Sequence, residues 1–311
     1  MIYVTQGDIE SIGLEVFFKS LFMIPTIDLK KLILVADKEV LKQHLNTLNY
    51  NFKFEGDLLT LSKSIMVKVI DIGSKDNSAF ESFKYCIKTV GKKSVLFTLP
   101  MSKSNFKESN LMYGGHTDFF RKNFTNYNPL MFFINGPEKI CLLTDHIPVA
   151  KLSNALKKDL FLELMSKVVE VIEKNNHLIN ITNIYLCGLN PHAGENGLLG
   201  LEESFWDESI RDINSKTSIS LNGPIPADTV HKHINNLSKS LVVYPYHDQG
   251  LCSFKPRNDV LGINLTLGLP FIRLSVDHGT AREIWGKGIA NPSGCLYALL
   301  KAIEYERILN D

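Results

Sequence analysis

The sequence predicts an α/β fold, and three observations carry that prediction. Short apolar runs of strand length alternate with longer segments of helical periodicity along the whole chain. The runs at 32–36 and 94–98 are largely apolar without alternation, as expected of strands covered on both faces. Histidine-bearing loops follow directly on the runs at 184–187 and 241–244, and α/β folds place ligands at the carboxyl ends of strands.

In chain order, residues 2–4 open a first strand that ends at Gly7-Asp8, and Leu14, Val16, Phe17 and Phe18 mark the helix that follows. The strand at 32–36 leads into a helix over 38–48. Phe80, Phe83, Tyr85 and Ile87 give a helical pattern before the strand at 94–98. Residues 130–134 and 140–143 form a hairpin, because Asn135-Gly136 stands between them with Pro137 following. One long helix is predicted over 149–174, with Leu152, Leu156, Leu160, Leu164, Val168 and Val171 as its apolar stripe. Strands at 184–187 and 241–244 follow, then two strands within 262–276 separated by a turn, and a last helix beginning near Cys295. No tandem repeat or low-complexity linker interrupts the pattern, and Gly114-Gly115 suggests a domain boundary near 115.

Composition excludes several classes. With 311 residues, 44% hydrophobic and 22% charged, the chain is globular rather than disordered. A net charge of +1 gives no basic surface for nucleic acid and no general affinity for an anionic membrane. The longest apolar runs are too short to span a bilayer, and the opening residues read as a strand rather than a signal peptide. None of the five cysteines forms a CxxC pair and several lie in apolar runs, so buried free thiols and a cytoplasmic location are expected.

Three histidines stand in turn-like segments: Thr144-Asp145-His146-Ile147-Pro148, Asn190-Pro191-His192-Ala193-Gly194-Glu195 and Tyr246-His247-Asp248-Gln249-Gly250. Imidazole is a ready ligand for a divalent metal, and the acidic neighbours suit outer-shell partners. Hydrogen-bonded turn histidines would look the same, and no HExxH signature is present. Asp248 either ligates or orients a metal, or caps the following turn. His44, His177, His231 and His233 read as structural or surface residues.

A second set, His116, Thr117, Lys255, Asn264 and Arg273, has the chemistry of a phosphate site, although ordinary surface charge would also account for it. A third segment, Asp277-His278-Gly279-Thr280 with Gly286-Lys287-Gly288-Ile289-Ala290-Asn291-Pro292, suits a glycine turn over a ligand. There is no GxGxxG after the first strand and no P-loop motif, and Ser275 lacks a nucleophile elbow.

Taken together, these segments resemble the 4-hydroxythreonine-4-phosphate dehydrogenase family of the vitamin B6 pathway. The matching words are Gly115-His116-Thr117, the three histidine segments, Gly223-Pro224-Ile225-Pro226-Ala227-Asp228-Thr229 and the run 264–280. The resemblance implies a two-domain fold shared with isocitrate and isopropylmalate dehydrogenases, with an interdomain active-site cleft. Residues 1–115 and 270–311 would form an outer, cofactor-side domain. Residues 116–269 would form a central domain with the metal site and dimer interface.

The resemblance further implies NAD-dependent oxidation of 4-phosphohydroxy-L-threonine at C3, with NADP possible, followed by decarboxylation to 3-amino-2-oxopropyl phosphate. One divalent ion (zinc, magnesium, manganese or cobalt) would be held by His146, His192 and, from the partner chain of a homodimer, the counterpart of His247. His116, Thr117, Asp228, Lys255, Asn264 and Arg273 would contact substrate. Lys255, His116 and Asp248 would serve catalysis, and His278, Gly279, Thr280, Gly286 and Asn291 would contact the cofactor.

Some words depart from the family pattern. The opening GDPxGIGPE is here Gly7-Asp8-Ile9-Glu10-Ser11-Ile12-Gly13-Leu14-Glu15, and TxPxxK is Thr98-Leu99-Pro100-Met101-Ser102-Lys103. Arg282 and Trp285 stand where smaller or apolar residues are usual, and Arg282 would meet either a nucleotide phosphate or a local ion partner. Two rival readings are a related dehydrogenase for a phosphorylated threonate or erythronate, and a non-catalytic metabolite-binding homologue.

Overall fold

In the computed structural model, which describes residues 1–73, 76–108, 111–258 and 261–311, the unalternating apolar runs become neighbouring parallel strands. The chain forms two compact units, Met1–Pro129 with Val260–Asp311, and Leu130–Asp259.

In the first unit the strand order is Ile263–Leu267, Ile272–Val276, Val95–Thr98, Ile2–Thr5, Leu32–Ala36, Met66–Asp71, Leu58–Thr60, Lys53–Glu55. The five strands from Ile272–Val276 to Met66–Asp71 are parallel, and antiparallel strands flank them. Every residue of Leu32–Ala36, Val95–Thr98 and Ile272–Val276 is buried, which explains their lack of alternation. Met66–Asp71 is only half buried, and it and the strands Lys53–Glu55 and Leu58–Thr60 are additions to the expected elements. The helices Gly13–Leu21, Lys38–Thr47, Ser78–Thr89 and Ser293–Asn310 match the predicted ones closely. Asp37 and Asn77 start two of them, each accepting a hydrogen bond from a backbone N–H in the first turn.

The second unit orders its strands Ser220–Ile225, Asn183–Cys187, Ser240–Tyr244, Glu138–Leu142, Leu130–Asn135. The first four are parallel. The last pair is the predicted hairpin, with Gly136 at φ +53° in its turn.

Three expectations need correction. The helix expected over 149–174 is broken: a short helix Leu152–Ala155 precedes a long one, Lys158–Ile179. The face buried by the long helix runs through Phe161, Met165, Val168, Val169, Val171 and Ile172, so the predicted Val168 and Val171 lie on it while Leu160 is exposed. Aromatic packing set that rotation, since Phe161 stacks on Trp206 with centroids 4.4 Å apart and planes within 3°. Secondly, the compact units divide after residue 129 and at 260, not near 115 and 270. Helix His116–Asn123 buries Phe119 and Phe120 among Phe80, Phe83 and Phe106 of the first unit, and strand Ile263–Leu267 pairs with Ile272–Val276. Thirdly, all five cysteines are free, but Cys252 is exposed while the other four are buried. No helix among the described residues is long and apolar enough to cross a membrane.

Candidate functional site

Two clusters, one in each unit, carry chemistry. In the second unit, Glu138–Leu142 and Ser240–Tyr244 run parallel with Leu142 opposite Tyr244, so the chain leaves both strands at the same sheet edge. The exits are bonded together: Leu143 N–H donates to Tyr244 O (2.9 Å), Thr144 N–H to Pro245 O (3.1 Å) and the Thr144 hydroxyl to the same carbonyl (2.7 Å). This delivers His146 and His247 side by side, ring centroids 5.6 Å apart. His146 has a left-handed backbone, φ +47°, a conformation that disfavours an L side chain by about 1–2 kcal/mol.

Both imidazoles line a cavity of about 230 Å³ with Asp145, Tyr246 and Asp248. The Nδ1 of His247 lies 2.7 Å from Asp248 Oδ1, and the Nδ1 of His146 lies 3.8 Å from the buried Asp145 carboxylate. A carboxylate on the Nδ1 side leaves Nε2 to face a ligand, so this pair fits a divalent cation. Asp248 is thus placed to orient His247.

His192 follows the adjacent parallel strand, Asn183–Cys187. Its loop is left-handed at His192, Ala193, Glu195 and Asn196. Glu203 accepts from Asn190 N–H (2.7 Å) and, with Glu202, from the Asn190 amide, which fixes the loop's base. The Gln249 amide donates to Gly188 O (2.9 Å), joining this strand's exit to the helix His247–Asn258. No local sequence signal marks Gln249 as part of this joint. Among the described residues no group of three or more His, Cys, Asp or Glu is placed to hold a metal. One chain therefore brings His146 and His247 together, where the family resemblance drew the third ligand from a partner, and it does not gather His192 with them.

The first unit holds a cavity beside a buried arginine. Arg273 lies in strand Ile272–Val276, only 3% exposed. Its Nε and Nη2 donate to the Thr98 hydroxyl (3.1 and 2.8 Å), and Nη1 donates to Asn264 Oδ1 and Thr266 Oγ1 (3.4 Å each). Among the described residues no carboxylate pairs with it. Burial draws its pKa down to about 9, so it remains charged at neutral pH. Thr98 ends a predicted strand and opens the TxPxxK-like word, and its role becomes visible only through the pairing of its strand with Ile272–Val276.

Beside it, the His116 ring meets the rings of Phe83 and Phe106 edge-on at 4.9 and 4.7 Å. Burial, then the Arg273 charge, hold its pKa well below the usual histidine value, so it is neutral. His278 is also held neutral-leaning by burial. Its Nδ1 lies 2.9 Å from Gly279 O, while its Nε2 is buried with no hydrogen-bond partner. With the proton on Nδ1, Nε2 is an open acceptor. Thr98, Met101, His116, Arg273, Ser275, His278, Gly279 and Thr280 line a cavity of about 150 Å³, and no carboxylate is among its lining residues.

The remaining predicted residues are distributed as follows. Thr117 lies in the first turn of helix His116–Asn123. Lys255 is exposed on helix His247–Asn258, and Asp228 is exposed after strand Ser220–Ile225; neither lines the two cavities. Asn291 Oδ1 accepts from Ser293 N–H at the start of the last helix. Gly286 adopts φ +73° beside Thr47. Arg282 forms the local ion pair, with Asp8 at 3.0 Å, and Trp285 meets His44 edge-on.

The profile of the family described as "Pyridoxal phosphate biosynthetic protein PdxA" matches residues 28–302. A 4-hydroxythreonine-4-phosphate dehydrogenase of Vibrio vulnificus is 33% identical over 88% of this chain and 89% of its own. A protein of Oceanobacillus iheyensis, provisionally assigned as a D-threonate 4-phosphate dehydrogenase, is 31% identical over 98% and 97%. The crystal structure of 4-hydroxythreonine-4-phosphate dehydrogenase from Klebsiella pneumoniae superposes with TM-score 0.77 at 25% identity, covering 98% and 99%. Isocitrate dehydrogenase of Methylococcus capsulatus, at 10% identity and TM-score 0.51 over 99% and 87%, shares the fold. The expected dehydrogenase fold class is therefore met, and this chain belongs to the PdxA family of pyridoxal phosphate biosynthetic proteins.

Proposed function

We propose that this protein is a dehydrogenase of a small phosphorylated hydroxy acid, 4-phosphohydroxy-L-threonine, which it oxidises at C3 with NAD and a divalent cation. Loss of carbon dioxide then yields 3-amino-2-oxopropyl phosphate. One observation carries the reading: a buried guanidinium with no carboxylate partner among the described residues, beside a cavity with no carboxylate among its described lining residues, calls for an anion. The family membership supports the rest.

Arg273 binds the phosphate, and the Thr98 hydroxyl holds the guanidinium in orientation. Anchoring the substrate away from the reacting carbon lets binding energy align that carbon for hydride loss. Neutral His116 adds a hydrogen bond without adding charge. The open acceptor on His278, with room beside Gly279 and Gly288, suits the hydroxyls and amide of a dinucleotide; Thr280, Gly286 and Asn291 complete that side. NADP would fit the same groups. His146 and His247 hold the cation, zinc, magnesium, manganese or cobalt, with His192 or a partner subunit as the source of a third ligand. When bound, it would supply Lewis-acid polarisation of the alcohol and charge stabilisation during loss of carbon dioxide. Asp248 positions His247, while Asp228 and Lys255 take the substrate's polar end and Lys255 transfers a proton. Exposed Ile147, Val149, Leu198 and Leu201, beside the ligand loops, support a homodimer. The free thiols suit the cytoplasm.

The full-length match to the Oceanobacillus relative favours a second substrate, D-threonate 4-phosphate. The test is a parallel assay of both substrates with NAD and a controlled divalent ion, following NADH and carbon dioxide. Faster turnover of the amino acid with carbon dioxide release supports the first reading; preference for the threonate selects the second. Ligand-induced stabilisation without NADH from either points to a binding protein.

A further inference from the structure

The loop 286–292 is exposed at Lys287, Gly288 and Ile289, and only Ala290 in its middle is buried. Gly286 and Gly288 are both left-handed, at φ +73° and +71°, and a Cβ on Gly288 would meet nothing within 4 Å. Such a segment has little packing to hold it in one shape. It is held instead by two residues nearly 270 positions away in the chain. Lys19 Nζ donates to Gly288 O and Ala290 O at 2.8 Å each, and to Glu15 Oε1 at 2.8 Å. An ammonium has three protons, and this one spends all three on these contacts. Glu15 Oε1 also accepts from Ala290 N–H at 2.8 Å, so the carboxylate and the ammonium grip the same turn.

Glu15 is 1% exposed, and its Oε2 is buried without a hydrogen-bond partner. A buried, half-satisfied carboxylate is unfavourable for the fold by itself. Its i,i+4 pair with Lys19 and its bond to Ala290 are what offset that. The same loop's approach is fixed from a second side, by Arg282 on Asp8 and Trp285 on His44.

We infer that Glu15 and Lys19 are positioning residues: a clamp that holds the loop 286–292 in its binding shape and so sets the affinity for the dinucleotide. The second half rests on the reading above that this loop faces NAD. Neither residue lines either cavity, so they act through the loop and not on substrate.

The experiment compares Lys19→Met, Glu15→Gln and Lys19→Arg with the natural protein. Hydrogen exchange of the 286–292 amides, followed by mass spectrometry without any ligand, reads the clamp directly. Lys19→Met is expected to speed exchange at Ala290 by about tenfold or more. Lys19→Arg, which keeps the charge and can still reach the carbonyls, is expected to recover much of it. Titration calorimetry with NAD is expected to show about a tenfold weaker Kd in Lys19→Met, with kcat at saturating NAD retained. A general loss of structure would instead accelerate exchange in strands Ile2–Thr5 and Val95–Thr98 as well, and Glu15→Gln, isosteric and neutral, guards against that outcome. Unchanged loop exchange in both Lys19→Met and Glu15→Gln overturns the clamp. A released loop with an unchanged NAD Kd overturns its role in affinity. Natural protein that binds no NAD, with the loop still released in the variant, sinks the cofactor reading while the clamp itself stands.

Discussion

His146 and His247 lie 101 positions apart in sequence and 5.6 Å apart between ring centroids, because the strands that precede them are hydrogen-bonded parallel neighbours. Each has an acidic side chain on its Nδ1 side. That arrangement makes the pair the place where the proposed cation would be held.

His247→Ala should remove divalent-cation dependence together with turnover, and Asp248→Ala should weaken cation affinity by about 10- to 100-fold through loss of orientation. Titration calorimetry with zinc or cobalt measures both. Activity lost to a chelator should return with added ion in the natural protein only. An Asp248→Ala protein of undiminished cation affinity would remove that residue from the site.

Arg273→Met should raise KM for a phosphorylated substrate by about 10- to 100-fold, since a charge-assisted hydrogen bond is worth about 1.5–3 kcal/mol. Because the natural guanidinium is buried with no carboxylate partner among the described residues, the same change should leave the fold no less stable, or stabilise it by up to about 2 kcal/mol. Inorganic phosphate should raise the Tm of the natural protein and not of Arg273→Met. A marked fall in the variant's Tm in the absence of phosphate contradicts the picture of an uncompensated charge.

Acid should weaken the first unit. Burial lowers the pKa values of His44, His116 and His278 below the unfolded value near 6.5. The unfolded chain therefore takes up protons first. Stability from these groups is fully present above the unfolded value and is lost as the pH falls from there through the folded values. The slope is at most about 1.4 kcal/mol per pH unit for each group. Urea midpoints measured from about pH 7.5 down to about pH 5.5 should fall less steeply in His116→Gln than in the natural protein. Parallel slopes would count against a buried neutral His116.

Trp206→Ala should destabilise the second unit by about 3–5 kcal/mol, because a fully buried indole stacked on Phe161 leaves a large void. Chemical denaturation followed by circular dichroism gives the value. A loss below about 1 kcal/mol would mean that the helix Lys158–Ile179 repacks around the gap.

Short apolar runs without alternation were enough to place the strands around residues 2, 34, 96, 186, 243 and 274, and Asn135-Gly136 the hairpin, because burial on both faces and turn chemistry are local signals. The histidine segments and the glycine loop were legible as motifs for the same reason: their residue types announce ligands or turns wherever they fold. The face of Lys158–Ile179 was not legible, since Leu160 and Phe161 are equally apolar and only the partner Trp206 chose between them. Nor was the break before Lys158, or the division of the chain after residue 129, which follows from aromatic packing around Phe119 and Phe120.

Residue identity alone determined the available chemistry: imidazoles for a cation, a guanidinium for an anion, glycines for a close loop. Tertiary structure decided which of these work together. Parallel pairing put His146 beside His247, the register of Ile272–Val276 against Val95–Thr98 gave Arg273 the hydroxyl of Thr98, and the packing of the first helix set Lys19 under the carbonyls of Gly288 and Ala290. Strand register and helix rotation depend on contacts between residues far apart in the chain, and no local pattern encodes them.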